Sequence, residues 1–256
     1  MRLVAQLPRR FLLAVLLAGV GMPPDSALPH PAQAAEPVDV ALVLVSDVSR
    51  SIDDSEFRLE KDGYAGAFSD PNVIHAIRSG PSGAIAVAYV EFAGEQEATT
   101  VLDWTMLRDD ASIRAFVTCL QAAPRSARGR TAIGAGVERA LDLLSHSGIE
   151  AQRRVIDVAG DGTNNAGVPA TEPRSRALAA GITINGLAII NDHPVSWVYA
   201  HTQPPGGLDN YYRENVAGGP GSFVLAVHDL HAFGEAMTRK LISEIAALPR
   251  PAPARG

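Results

Sequence analysis

Short, unbroken apolar runs alternate with amphipathic stretches from residue 38 to residue 248, and this alternation constrains the fold most. Val38 to Val45 is an apolar run interrupted only by Asp39. A run of that length without polar alternation marks a strand buried on both faces. Ala84 to Phe92, Arg154 to Ala159, Ile182 to Ile190 and Ser222 to Val227 read as further strands, and the polar-diluted Glu97 to Trp104 as an edge strand. Between them, helical periodicity runs through Ser55 to Phe68, Asn72 to Arg78, Asp109 to Ala122, Thr131 to Ser145, Glu172 to Ala180 (ended by Gly181), Asp209 to Asn215 and Leu230 to Leu248. The stripe Ile133, Val137, Ala140, Leu141 and Leu144 faces the core side of the Thr131 helix. Strand–helix alternation with apolar strands predicts an α/β fold. Its six-stranded sheet is doubly wound and mainly parallel, with one antiparallel edge strand and helices on both faces.

The first 34 residues read differently. Arg2, Arg9 and Arg10 precede the apolar run Phe11 to Gly21, and Ala32-Gln33-Ala34 closes the segment as a small-x-small cleavage pattern. That order predicts a signal peptide spanning residues 1–34, and hence a periplasmic or secreted protein. The apolar run is too short to span a bilayer, so stable membrane insertion after cleavage is not expected. Removing 34 residues that carry three Arg and one Asp leaves 222 residues and takes the net charge from −6 to −8. An acidic chain of this kind is a poor nucleic-acid binder, and no nucleic-acid partner is expected. Cys119 is the single cysteine, so no internal disulfide can form, and its place near Ile113, Phe116, Val117 and Leu120 predicts a small buried hydrophobe. The tail 249–256 is Pro-rich and expected to be disordered.

Ligands in doubly wound sheets bind beyond the carboxyl ends of the strands, where strand order reverses. The first strand runs into LVLVSDVSRSID, where Asp47, Ser49 and Ser51 follow at two-residue spacing. GRTAIGAG places Thr131 before the long helix, and VIDVAGDGTNN places Asp161 after the following strand. In a sheet of order 3-2-1-4-5-6 these loops meet. Five oxygen side chains, two of them carboxylates, suit a hard divalent cation: Mg²⁺, with Mn²⁺ or Ca²⁺ as alternatives. Two carboxylates balance one such ion, which leaves room for an acidic group from a partner.

Each residue also has a plainer reading. Asp53 with Glu56 makes a helix-capping pattern, Ser51 or Thr131 could cap a helix, and Asp161-Gly162 is a common turn pair. His228 and His231 stand three apart without an evident third ligand. His193, Trp197, Tyr199 and His201 lie in a long loop that is either a binding rim or an ordinary solvated connection. No G-x-S-x-G elbow, P-loop or G-x-G-x-x-G after the first strand is present, and GGPGSF reads as a tight turn.

The D-x-S-x-S of Asp47, Ser49 and Ser51, the later Thr131 and Asp161-Gly162 resemble the metal-ion-dependent adhesion site of von Willebrand factor A domains. VSDVSRSID, YVEF, DWT, DVAGDGTNNAG, GITINGLAI and GGPGSFV also resemble stretches of a family of uncharacterised secreted bacterial proteins with that fold. The resemblance implies one such domain over residues 37–248. Ser49, Ser51 and Thr131 would coordinate the metal, and Asp47 and Asp161 would act directly or through water. It also implies a protein partner that presents an acidic residue; with enzyme motifs missing, the chain is read as a non-enzymatic module, expected to be monomeric. Two other classes stay open, a metal-dependent hydrolase of phosphorylated small molecules and a structural interaction domain without metal.

Overall fold

The computed structural model describes residues 37–190 and 204–246. The expected signal segment, the loop residues His193, Trp197, Tyr199 and His201, and the Pro-rich tail lie outside the described residues. Strand β1 (Val38–Asp47) is buried along its whole length. Then come α1 (Asp54–Ser69), α2 (Pro71–Ser79), β2 (Ile85–Phe92), β3 (Ala98–Leu107), α3 (Asp110–Ala122) and α4 (Ile133–His146). They are followed by β4 (Ala151–Gly160), α5 (Thr171–Ala179), β5 (Thr183–Ile189), α6 (Leu208–Asn215), β6 (Val224–Val227) and α7 (Phe233–Ala246).

The sheet order is β3-β2-β1-β4-β5-β6. Only the β2–β3 pair is antiparallel among these strands, and its register is irregular around Tyr89. The alternation of side chains along β1 explains why its run from Val40 to Val45 has no polar breaks. Val40, Leu42 and Leu44 face one helical layer, with Tyr64, Phe68, Phe233 and Leu241. Ala41, Val43 and Val45 face the other, with Ile133, Val137, Ala140 and Tyr212. Each large aliphatic side chain so buried contributes roughly 1.5–3 kcal/mol. Strand order reverses between β1 and β4, where Ser46 lies opposite Ala159. Asp47 and Asp161 therefore leave the sheet side by side.

Local signals set the start of α1 and the end of α5. Asp53 caps α1, and Glu56 returns the bond to the Asp53 N–H, a complete capping box. Gly181 ends α5 with φ +71°, and its N–H reaches the Leu178 carbonyl.

Three expectations need correction. Cys119 is exposed, not buried. The buried stripe of α3 is Ile113, Phe116 and Leu120, and one residue before Leu120 the helix has turned about 100° away from it. Strand β4 begins at Ala151 rather than Arg154, because Gln152, Arg153 and Arg154 find partners at its polar end: the Asp39 carboxylate and the carbonyls of Ile245 and Ala180. The last helix opens as a 3₁₀ turn, Leu230–Ala232, and becomes α-helical only at Phe233.

Candidate functional site

The loop after β1 folds back on its own carboxylate, as the Ser49 N–H donates to Asp47 Oδ1 at 2.8 Å. From there the hydroxyls form a chain. Ser49 Oγ lies 3.2 Å from Ser51 Oγ, and Ser51 Oγ donates to Asp161 Oδ1 at 2.8 Å. Thr131 Oγ1 donates to Ser49 Oγ at 3.1 Å. All five side chains expected from the sequence are thus in one connected cluster. Four of them are buried, and Ser51 sits half-buried at the opening.

Thr131 does not cap α4; the N-cap position is Ala132, which has no side-chain bond to offer. The capping contact comes from another loop, since Asn164 Oδ1 accepts the Gly134 N–H at 2.9 Å. Its neighbour Asn165 clamps Thr131 from both sides. Asn165 Oδ1 accepts the Thr131 N–H at 3.0 Å, while its own N–H donates to the Thr131 carbonyl at 2.8 Å. These two asparagines tie the Asp161 loop to the Thr131 loop and leave the Thr131 hydroxyl for the cluster.

Arg125 carries no motif and sequence reasoning missed it. Its Nη2 donates to the carbonyls of Val48 (2.6 Å), Ser49 (2.7 Å) and Ile52 (2.8 Å), and its plane lies 5.5 Å over the Phe57 ring. One guanidinium thereby gathers carbonyls from both ends of the Ser49–Ser51 loop. Asn164 and Asn165 directly follow Asp161-Gly162-Thr163, so position could have drawn attention to them; nothing in the local sequence singles out Arg125.

The electrostatics are unusual for a site with so few charges. Asp47 is fully buried and its Oδ2 has no hydrogen-bond partner among the described residues. Burial, reinforced by the charge of Asp161, pushes the Asp47 carboxyl up to about 8. Behind it Glu60 accepts a bond from Ser46 Oγ at 3.1 Å, and burial together with the charges of Asp47 and Asp161 raises its carboxyl well above the usual range. Tyr212 Oη is a second orphan. It and Asp47 Oδ2 lie 2.7 and 3.0 Å from the point that a Cβ on Gly160 would occupy, so glycine there leaves room for both.

An orphaned carboxylate oxygen beside a second carboxylate and three hydroxyls is a donor set that fits a hard divalent cation. Among the described residues no group of three or more His, Cys, Asp or Glu side chains is placed to hold a metal. Any ion here must therefore lean on hydroxyls, and His228 and His231 are exposed.

Solved structures with the same arrangement of sheet and helices include proximal thread matrix protein 1 from the mussel byssus. It is 21% identical with a TM-score of 0.58, over 83% of this chain and 47% of that one. A form of the same protein with a zinc-occupied MIDAS (metal-ion-dependent adhesion site) motif is 19% identical with a TM-score of 0.56, over the same shares. A von Willebrand factor type A protein from Catenulispora acidiphila is 18% identical with a TM-score of 0.54, over 82% of this chain and 43% of that one. This chain spans less than half the length of those chains, and at these identities the likeness shows the fold, a von Willebrand A-type α/β fold. No match was found among curated protein sequences. The chain belongs to the family described as protein of unknown function (DUF1194), whose model matches residues 37–249.

Proposed function

We propose that this chain is a periplasmic or secreted binding module that captures an acidic group of a protein partner through Mg²⁺ held by Asp47, Ser49, Ser51, Thr131 and Asp161. The observation that carries the reading is the buried, unpartnered Asp47 Oδ2 within the connected cluster of five oxygen side chains. Two buried carboxylates side by side destabilise the fold unless a proton or a cation compensates them. A divalent ion supplies that charge and, when bound, offers an open position to a carboxylate from outside. The zinc-occupied motif of the byssus protein supports a divalent ion in a fold of this type.

The test is thermal unfolding with and without Mg²⁺ or Mn²⁺, in wild type, Asp47→Ala and Thr131→Ala. An ion that binds only the folded state at 100 times its dissociation constant adds about 2.7 kcal/mol. The expected result is a rise in midpoint for wild type that both variants lose. No rise in wild type at millimolar metal would sink the reading.

A further inference from the structure

We propose that the captured segment is an acidic peptide bearing two carboxylates. One is taken at the metal, and the second is received by Arg130 in the polar cleft beside Thr131. The proposal rests on the metal-site reading for the first carboxylate.

The cleft measures about 510 Å³ and is lined by Arg130, Asn164, Asn165, Thr171, Tyr211 and Asn215, among smaller residues, with no carboxylate among the described residues. Asn164 and Asn215 spend their NH₂ groups on the Ala166, Val168 and Tyr211 carbonyls, but three other donors lack acceptors among the described residues. Arg130 is exposed, and its guanidinium has no hydrogen bond or ion pair among the described residues. Asn165 must present its oxygen to the Thr131 N–H, so its NH₂ faces no acceptor among them. Tyr211 Oη accepts the Asn164 N–H at 3.1 Å and keeps its own proton to give.

The other arginines of the same loop are already committed, Arg125 to the Val48, Ser49 and Ile52 carbonyls and Arg128 to Asp54. Arg50, between Ser49 and Ser51, is a second exposed guanidinium at this end of the sheet without a partner among the described residues. In a chain of net charge −6, unpaired cations beside a cluster of acidic and hydroxyl groups give a local field suited to an anionic partner, which the molecule as a whole would repel. The spacing follows from geometry. Residues i and i+2 of an extended peptide lie on one face about 6.6 Å apart. That separation is within the reach of an arginine one residue from Thr131, so Asp-x-Asp is the expected pattern.

The experiment uses fluorescein-labelled Gly-Ser peptides carrying a central Asp-Gly-Asp or Asp-Gly-Asn, titrated by anisotropy in Mg²⁺ against wild type and Arg130→Ala. Metal-induced thermal shift is measured on the same samples. The expected result is at least about fivefold tighter binding of Asp-Gly-Asp to wild type. In Arg130→Ala that difference should vanish, while Asp-Gly-Asn affinity and the Mg²⁺ shift stay unchanged. Equal binding of the two peptides by wild type, or a preference that persists in Arg130→Ala, overturns the proposal and leaves the metal reading standing. Loss of the Mg²⁺ shift in wild type overturns the metal site itself. A shift without binding of either peptide overturns acidic-peptide capture.

Discussion

At the end of β1 the carbonyls of Val48, Ser49 and Ile52 all turn toward the guanidinium of Arg125. Carbonyls that converge in this way repel one another unless a cation with several donors stands between them. Arg125→Ala should destabilise the protein by about 3 kcal/mol, because it leaves the Val48 and Ile52 carbonyls unpaired and the Ser49 carbonyl with only the Ile52 N–H. It should also abolish the metal response, since Ser49 and Ser51 lose their fixed backbone. Arg125→Lys should restore little of either, because an ammonium lacks the planar fork; midpoints with and without Mg²⁺ check both. At Asp47 the expectation runs the other way. Asp47→Asn removes the cost of burying beside Asp161 a carboxyl pushed up to about 8, and can keep the bond from the Ser49 N–H. Its metal-free midpoint should rise, by on the order of 1 kcal/mol of stability, while the Mg²⁺ shift disappears. A metal-free midpoint below that of wild type would show that burial of the Asp47 carboxyl is not a source of instability.

Helix α4 carries the Thr131 loop to the site, and glycine sets how closely it approaches the sheet. A Cβ on Gly136 would lie 2.8 Å from Phe92 Cδ1 and 2.9 Å from Val45 Cγ1, both in the interior. Gly136→Ala should therefore cost about 1–3 kcal/mol and weaken the metal response by lifting α4 away from β1. Exposed Gly66, in the middle of α1, has open space where a Cβ would stand, with nothing within 4 Å among the described residues. Gly66→Ala should stabilise the protein by about 0.5–1 kcal/mol through helix propensity alone. Opposite signs for the two substitutions in the same denaturant titration are the check. Periodicity reaches its limit at α3: the spacing around Cys119 revealed a helix, but the phase of its buried stripe was set by packing of α3 against the α1 layer.

Across the whole molecule, α7 is fastened to the sheet by buried charge. Lys240 Nζ lies 2.5 Å from both Asp157 on β4 and Glu244 one turn further on, and Asn185 on β5 donates to Glu244 at 2.8 Å. Arg153 on β4 and Tyr64 on α1 also face this network. Lys240→Met should cost about 3–5 kcal/mol, because two buried carboxylates lose their cation. Burial and then the charge of Asp157 push the Glu244 carboxyl up to about 7, against the opposing pull of Lys240 and Asn185. The folded state then binds more protons than the unfolded state between the ordinary value of 4.5 and about 7. Stability from this group is present at the acid end and falls as pH rises through that window. Glu244→Gln should flatten the decline, as midpoints measured in Mg²⁺ across the window would show.

Sequence alone determined what depends on near neighbours. The strand runs, the helix periods, the Asp53–Glu56 cap and the Gly181 stop follow from interactions within a few residues, where propensity and spacing act directly. Through the topology of alternating strands and helices, it also identified Asp47, Ser49, Ser51, Thr131 and Asp161 as residues whose loops meet. Only the tertiary structure decided how those loops are held. Arg125 reaches carbonyls more than seventy residues earlier, Asn164 caps a helix it does not belong to, and Lys240 finds Asp157 on the sheet beneath its helix. None of these contacts has a period or a motif, because each is set by how far apart two backbones come to rest once the core has closed.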